Sequence, residues 1–168
     1  MTTKLMCNCL LVALAVGAGQ AAAQPFKRDW SGWNVSFETT TASGLISDVS
    51  GTGTFGSGDM RIIIENRFVG LCEDFTIKLE VTKYTNVVRF GNGDLLYRSL
   101  RTGVPSTICF DPANQTARSE VYVEIIGGTG GFAGAYGESV LRAEVTLLTG
   151  MGAVTIKEVG EIFGVGGK

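Results

Sequence analysis

Two pairs of side chains in this chain could do acid–base chemistry: Tyr122 with Glu124, and Arg142 with Glu144. Each pair lies opposite an apolar row, Val121, Val123 and Ile125 in the first segment and Leu141, Ala143 and Val145 in the second. A carboxylate beside a phenol or a guanidinium can serve as a general acid or base once it is positioned against a substrate. The four are therefore candidate catalytic residues if their faces line a wet cavity. If those faces point outward they are ordinary solvated charges, which is the simpler reading. There is no histidine, which excludes serine–histidine triads, histidine–metal sites and an imidazole base. Asp111 with Asn114, or Asp48 with Asp59, could offer oxygen ligands, but neither pair makes the dense acidic loop of a calcium site. Neither a metal nor a cofactor is expected.

A glycine run, Gly128-Thr-Gly-Gly131-Phe-Ala-Gly134, has the letters of a dinucleotide-binding turn. That fingerprint needs an amphipathic helix after the glycines and an acidic residue on a second strand about 20 residues later. Here Leu141, Ala143, Val145 and Leu147 alternate instead, as in a strand. The expectation is a structural corner: Gly130, Gly131 or Gly134 takes a positive φ or lets another backbone approach, and no nucleotide binds.

The elements that must hold these residues are almost all strands. The chain has 168 residues and is 45% hydrophobic, which suits one domain with a proper core. Its 14 basic and 16 acidic residues nearly cancel, so nothing draws it to nucleic acid. Lys4, the apolar run Cys9 to Ala18 and the small residues Ala21 to Ala23 read as a signal peptide over 1–23, with the domain over 24–168 and a secreted or periplasmic location. Cys7 and Cys9 lie within that segment. Cleavage leaves Cys72 and Cys109, and two thiols in an oxidising compartment predict one disulfide.

From Trp30 onward, period-two alternation predicts about eight strands and almost no helix. Trp33, Val35 and Phe37 share one face of the first strand, and Val49, Gly51, Gly53 and Phe55 one face of the second. A turn at Ser43-Gly44 separates them. Ile62 to Ile64 is apolar on both faces, which asks for cover on both. Phe75, Ile77, Leu79 and Val81 alternate with polar residues, and the turn Gly91-Asn-Gly-Asp94 joins a hairpin. A long loop over 102–117 carries a short strand near Ile108 to Phe110, and Thr149 to Gly152 turns into a last strand, Ala153 to Phe163. Asn34-Val-Ser36 and Asn114-Gln-Thr116 are glycosylation sequons, relevant only in a eukaryotic host.

The run Ile125-Ile-Gly-Gly-Thr-Gly-Gly-Phe-Ala-Gly-Ala-Tyr-Gly137, with Gly51-Thr-Gly-Thr-Phe55 and Asn92-Gly-Asp94 upstream, resembles the allene oxide cyclase and dirigent-like barrel superfamily, in particular its exported bacterial members of unassigned function. The resemblance implies an eight-stranded antiparallel barrel with a central cavity, often assembled as a homodimer or homotrimer. Characterised members cyclise oxylipins, steer phenoxy-radical coupling or close polyketide rings, largely by holding a reactive substrate in a shaped apolar pocket.

The fold expected is therefore all-β, a single antiparallel barrel of about eight strands. Val35, Phe37, Phe75, Ile77, Leu79, Val121, Val123, Leu141, Val145 and Ile156 stand on the apolar faces that should point inward and line a cavity. Gly51 and Gly53 should leave room there, for a small hydrophobic molecule with Tyr or Arg at its mouth. The functional expectation is a small-molecule binding barrel without a membrane span. Two alternatives stand beside it: a cyclase or isomerase using the same cavity, and a small outer-membrane barrel, whose apolar residues would face out.

Overall fold

A computed structural model describes residues 22–38, 43–147 and 152–166, the side chains of 34–38, 43 and 44 excepted. The segment expected to be a signal peptide and the expected 149–152 turn lie largely outside them. Nine strands are present among the described residues: β1 Gln24–Glu38, β2 Ser43–Gly53, β3 Gly56–Leu71, β4 Ile77–Phe90, β5 Leu95–Leu100, β6 Thr107–Asp111, β7 Thr116–Gly128, β8 Tyr136–Thr146 and β9 Ala153–Phe163. No helix among these residues is long and apolar enough to cross a membrane.

The strands close an antiparallel barrel. Each pairs with its neighbour in sequence from β1 to β4 and from β7 to β9, and β1 pairs with β9 from Gln24↔Ile162 to Trp33↔Ala153. Between β4 and β7 the barrel position is shared. β5 fills the end beside Val87 and Gly127, and β6 the end beside Leu79 and Ser119. Nine strands thus occupy eight positions. The break between β5 and β6 is stitched by Ser106, whose Oγ accepts from Tyr122 N (2.9 Å) and whose carbonyl accepts from Val81 N (2.9 Å). These bonds carry backbone pairing across the break, as a buried backbone requires.

Inward faces are apolar along most strands, with Ile62 and Ile64 of β3, Val121, Val123 and Ile125 of β7, and Val154, Ile156 and Ile162 of β9 all buried. β1 corrects the expected register. Its inward set is Phe26, Arg28 and Trp30, while Trp33 is 60% exposed. The strand begins earlier than Trp30 and its pairing with β2 shifts between Asn34 and Ser36, so a face extrapolated back from Phe37 starts on the wrong side. β2 likewise begins at Ser43, where a turn was expected. Ile63 is 38% exposed, so its outer face lacks the full cover its neighbours suggested.

One end of the barrel is sealed by aromatic rings. After β7 the chain makes a single 3-10 turn, Gly130–Phe132, which carries Phe132 into the barrel end. Phe132 stacks on Phe90 with ring centroids 4.4 Å apart and meets Phe55 edge-on at 5.5 Å, and Phe26 lies against Phe55 at 6.0 Å. The glycine corner makes this plug. Gly130 has φ +56°, and a Cβ on it would fall 1.8 Å from Asp94 Oδ1. Asp94 Oδ2 accepts from Gly131 N (3.0 Å), and Thr129 Oγ1 accepts from Leu95 N (2.9 Å). The corner is thus clamped to the β4–β5 hairpin.

At the opposite end Cys72, just beyond β3, is bonded to Cys109 of β6, their Cα atoms 6.1 Å apart and 37 residues apart in sequence. A loop of that length contributes about 3 to 4 kcal/mol by constraining the unfolded chain. Replacing both cysteines with alanine should lower the unfolding free energy by about that amount, measured by urea denaturation of oxidised wild type against the double variant. Equal midpoints would show that the bridge adds nothing to stability.

Candidate functional site

Half-way along the barrel an ion pair crosses its interior. Arg98 of β5 and Glu158 of β9 bond through Nη1 and Oε1, and each side chain is 1% exposed. Both residues stand on apolar inward faces, Arg98 between Leu96 and Leu100 and Glu158 between Ile156 and Ile162. Burying such charges costs several kcal/mol per ion unless their remaining hydrogen-bonding capacity is met. Here it is. Glu158 Oε1 also accepts from Ser139 Oγ (2.8 Å) and Oε2 from Trp30 Nε1 (2.9 Å). Arg98 Nε donates to Asn86 Oδ1 (2.9 Å) and Nη2 to Met60 Sδ (3.0 Å). Burial pulls the Arg98 guanidinium down, but Glu158 beside it more than offsets this and holds its pKa raised.

A second guanidinium sits below the pair. Arg28 faces Glu158 across β1 and β9, lies 4.4 Å from the Phe90 ring centroid and 4.9 Å from that of Trp30, and donates from Nη2 to Gly56 O (2.8 Å). Its Nε and Nη1 have no hydrogen-bond partner. The aromatic faces attract the cation in their place. Burial, and to a smaller extent Arg98, lower its pKa to about 10 against the opposing pull of Glu158. Gly51 and Gly53, expected to leave a cavity, instead make way for these side chains. A Cβ on Gly53 would lie 2.4 Å from Arg28 Cγ, and one on Gly51 2.6 Å from the Trp30 ring. Arg28 and Trp30 thus take up the room the two glycines leave.

The other half is apolar and less completely filled. Two spaces of about 20 Å³ each lie in it. The inner one is bordered mainly by Ile62, Tyr84, Val121, Leu141, Val154 and Ile156, with Ser47 and Ser119, the outer one by Leu79, Ile108, Phe110, Ala117 and Leu147, with Asn66, and Leu45 and Val145 border both. Each has room for about one water-sized group. Tyr84 is buried, and its hydroxyl has no hydrogen-bond partner. Burial pushes the Tyr84 phenol well above its ordinary value, with Arg98 opposing and Glu158 adding to the rise.

Several expected site residues fall here. Val121, Val123, Leu141, Val145 and Ile156 are buried inside, and Leu79 and Ile77 are half-buried on the inward side of β4. Phe75 is not: it is 83% exposed at φ +63°, in the turn between β3 and β4. The turn Cys72 to Phe75 is closed by Phe75 N donating to Cys72 O (3.0 Å), so the strand starts at Ile77 and the alternation ends two residues short of Phe75. The side chains of Val35 and Phe37 lie outside the described residues. The four acid–base candidates are on the outer wall. Tyr122 donates to Glu120, Arg142 pairs with Glu120 at 2.7 Å, and Glu124 accepts from Ser99 Oγ (2.8 Å). Arg142 and Glu144 border a shallow outer depression of about 630 Å³. It is far larger than the inner spaces, but it is a solvated saddle of charges rather than a shaped pocket. The residues that alternation did not single out are Arg28, Trp30, Tyr84, Arg98 and Glu158. For all but Trp30 the signal was an ionisable or hydroxyl-bearing side chain interrupting an otherwise apolar inward face.

Comparison of the chain with protein-family models, with curated proteins and with solved structures gave no match. The corner that resembles a nucleotide fingerprint has its Gly131 N–H occupied by the Asp94 carboxylate, and no helix of phosphate-binding length follows it.

Replacing Glu158 with Leu should cost about 3 to 5 kcal/mol in a urea titration, because Arg98 is left buried without its counter-ion; adding Arg98→Met should recover part of the loss. If the single and double variants lose the same amount, the pair is not coupled. Tyr84 gives a pH prediction. In the unfolded chain its phenol ionises near 10, whereas the folded protein holds the proton to higher pH. The contribution is therefore fully present below pH 10 and lost as pH rises towards the folded value. Wild type should lose stability above pH 10 more steeply than Tyr84→Phe, and parallel curves would contradict this.

Proposed function

We propose that the protein is an exported barrel that binds a small hydrophobic molecule in the half of its interior away from the aromatic plug. The observation that carries this is the asymmetry of the interior. One half is closed by Phe26, Phe55, Phe90 and Phe132 and crossed by an ion pair, while the other is lined mainly by aliphatic side chains and holds two small interior spaces. Binding needs the side chains about Leu45 and Val145 to part, since they border both spaces.

Three further points support the reading. The disulfide and the sequence of residues 1–23 fit a secreted or periplasmic location. The outer wall carries exposed ion pairs, Arg61–Asp48, Lys83–Glu65, Arg67–Glu80 and Arg142–Glu120 among them, where a membrane barrel would present an apolar band. An eight-position antiparallel barrel is also the architecture of the allene oxide cyclase and dirigent-like superfamily that the glycine corner resembles, and membership of it is part of the proposal. Binding is favoured over cyclisation because the buried acid and base are spent on one another and on their own partners.

Phenylnaphthylamine, a neutral dye that fluoresces in apolar surroundings, should bind the protein saturably. Leu79→Trp should abolish the signal while leaving the far-ultraviolet circular dichroism unchanged, because Leu79 borders the outer space. A dye that never binds, or that binds the folded variant equally well, would return the barrel to a structural role.

A further inference from the structure

We infer that the ligand is a neutral molecule whose leading end is a hydrogen-bond acceptor of the carbonyl type, held by the Tyr84 hydroxyl, with an aliphatic remainder running towards the barrel mouth. This rests on the proposed binding function and narrows it to a chemical class.

The argument is one of remaining capacity. Glu158 accepts from Arg98, Ser139 and Trp30, and Arg98 donates to Glu158, Asn86 and Met60. Every side-chain nitrogen and oxygen of the two already has a partner, and neither residue borders the interior spaces. Asn86 Nδ2 is likewise engaged, with Arg61 O at 3.3 Å. Arg28 is packed between Trp30 and Phe90 and borders neither interior space. The Tyr84 hydroxyl is different: it is buried, it has no partner, and its residue borders the inner space. An unmatched buried hydroxyl is destabilising, a cost the fold does not recover but a ligand oxygen would.

The size and charge of the surroundings then select the class. A space of about 20 Å³ takes a group as large as one oxygen and no larger. The lining beyond Tyr84 is mainly aliphatic, with Ile62, Val121, Leu141, Val154 and Ile156, which suits an alkyl chain, and carries no charged group, its other polar residues being Ser47 and Ser119. A carboxylate would enter as an uncompensated anion, because the charge of Arg98 is already balanced by Glu158, and an unpaired buried charge is strongly disfavoured. A hydrocarbon would fit the chain path and leave the hydroxyl unmatched. A ketone, aldehyde or ester satisfies both.

Three probes of matched length separate these outcomes: methyl nonyl ketone, undecane and undecanoate, each measured by displacement of phenylnaphthylamine at neutral pH. The ketone should bind more tightly than undecane, and undecanoate more weakly than the ketone. Tyr84→Phe, which removes one oxygen and is checked for folding by circular dichroism, should weaken the ketone about tenfold, to the level of undecane, and leave undecane unchanged. The infrared carbonyl stretch of the bound ketone gives a second reading: it should lie at hydrogen-bonded frequency in wild type and at its hydrocarbon-solvent value in the variant. Ketone and undecane binding equally, with Tyr84→Phe indifferent, would overturn the Tyr84 assignment while the apolar site stands. Undecanoate binding as tightly as the ketone would overturn the neutral class. If none of the three displaces the dye from folded protein, the ligand class is overturned though a dye site exists; if the dye itself fails to bind, the binding function falls first.

Discussion

Two opposite charges at the centre of an apolar barrel constrain everything around them. Arg98 and Glu158 could not be buried singly, and together they still need every remaining donor and acceptor supplied. The supply comes from Trp30 on β1, Met60 on β3, Asn86 on β4 and Ser139 on β8, so the cluster ties strands from around the whole circumference. A one-residue slip of any of these strands would turn its partner atom to the outside. The pair is thus a register device as much as an energetic one.

The same cluster divides the interior. Below it, Arg28 and Trp30 occupy the width that Gly51 and Gly53 give up, and four phenylalanines close the end. Above it the lining is aliphatic and the packing looser. Charge that is consumed internally cannot also act on a ligand, so the chemistry left to the upper half is that of shape, apolar contact and a few hydroxyls, of which that of Tyr84 has no partner. The acid–base candidates visible in the sequence play no part in this, because they stand on the outer wall, where Tyr122 and Arg142 bond to Glu120 and Glu124 accepts from Ser99.

Much of the fold was legible because alternation is the direct imprint of a sheet with one wet face. β7, β8 and β9 were read with their inward residues in the right places, and the Gly91 to Asp94 hairpin and the disulfide followed from turn chemistry and from counting thiols. The errors at Trp33 and Phe75 share a cause: alternation gives parity but not where a strand begins, or where a bulge or turn resets it. The site was less legible for a different reason. Arg98 and Glu158 were not singled out, because in the sequence each alone is an ordinary charge. Only the closure of the barrel brings residues 60 positions apart into one pair, and no local pattern encodes that meeting. Tyr84 was hidden by the bulge near Thr82, which shifts the inward parity of β4 from odd to even numbers.

The closing seam between β1 and β9 has a kinetic consequence. Most neighbouring strands are joined by short turns and can zip locally, but this pairing spans nearly the whole domain, from Gln24 to Ile162. Contacts of such long sequence separation form late, because the chain must first lose the entropy of a large loop. Trp30 and Glu158 lie on the two sides of that seam. Until it shuts, both charges of the central pair can remain hydrated. Dehydration of the ions and completion of the ring therefore coincide, which places the electrostatic cost of this architecture on the final, committing step of its folding rather than on the early collapse of its hairpins.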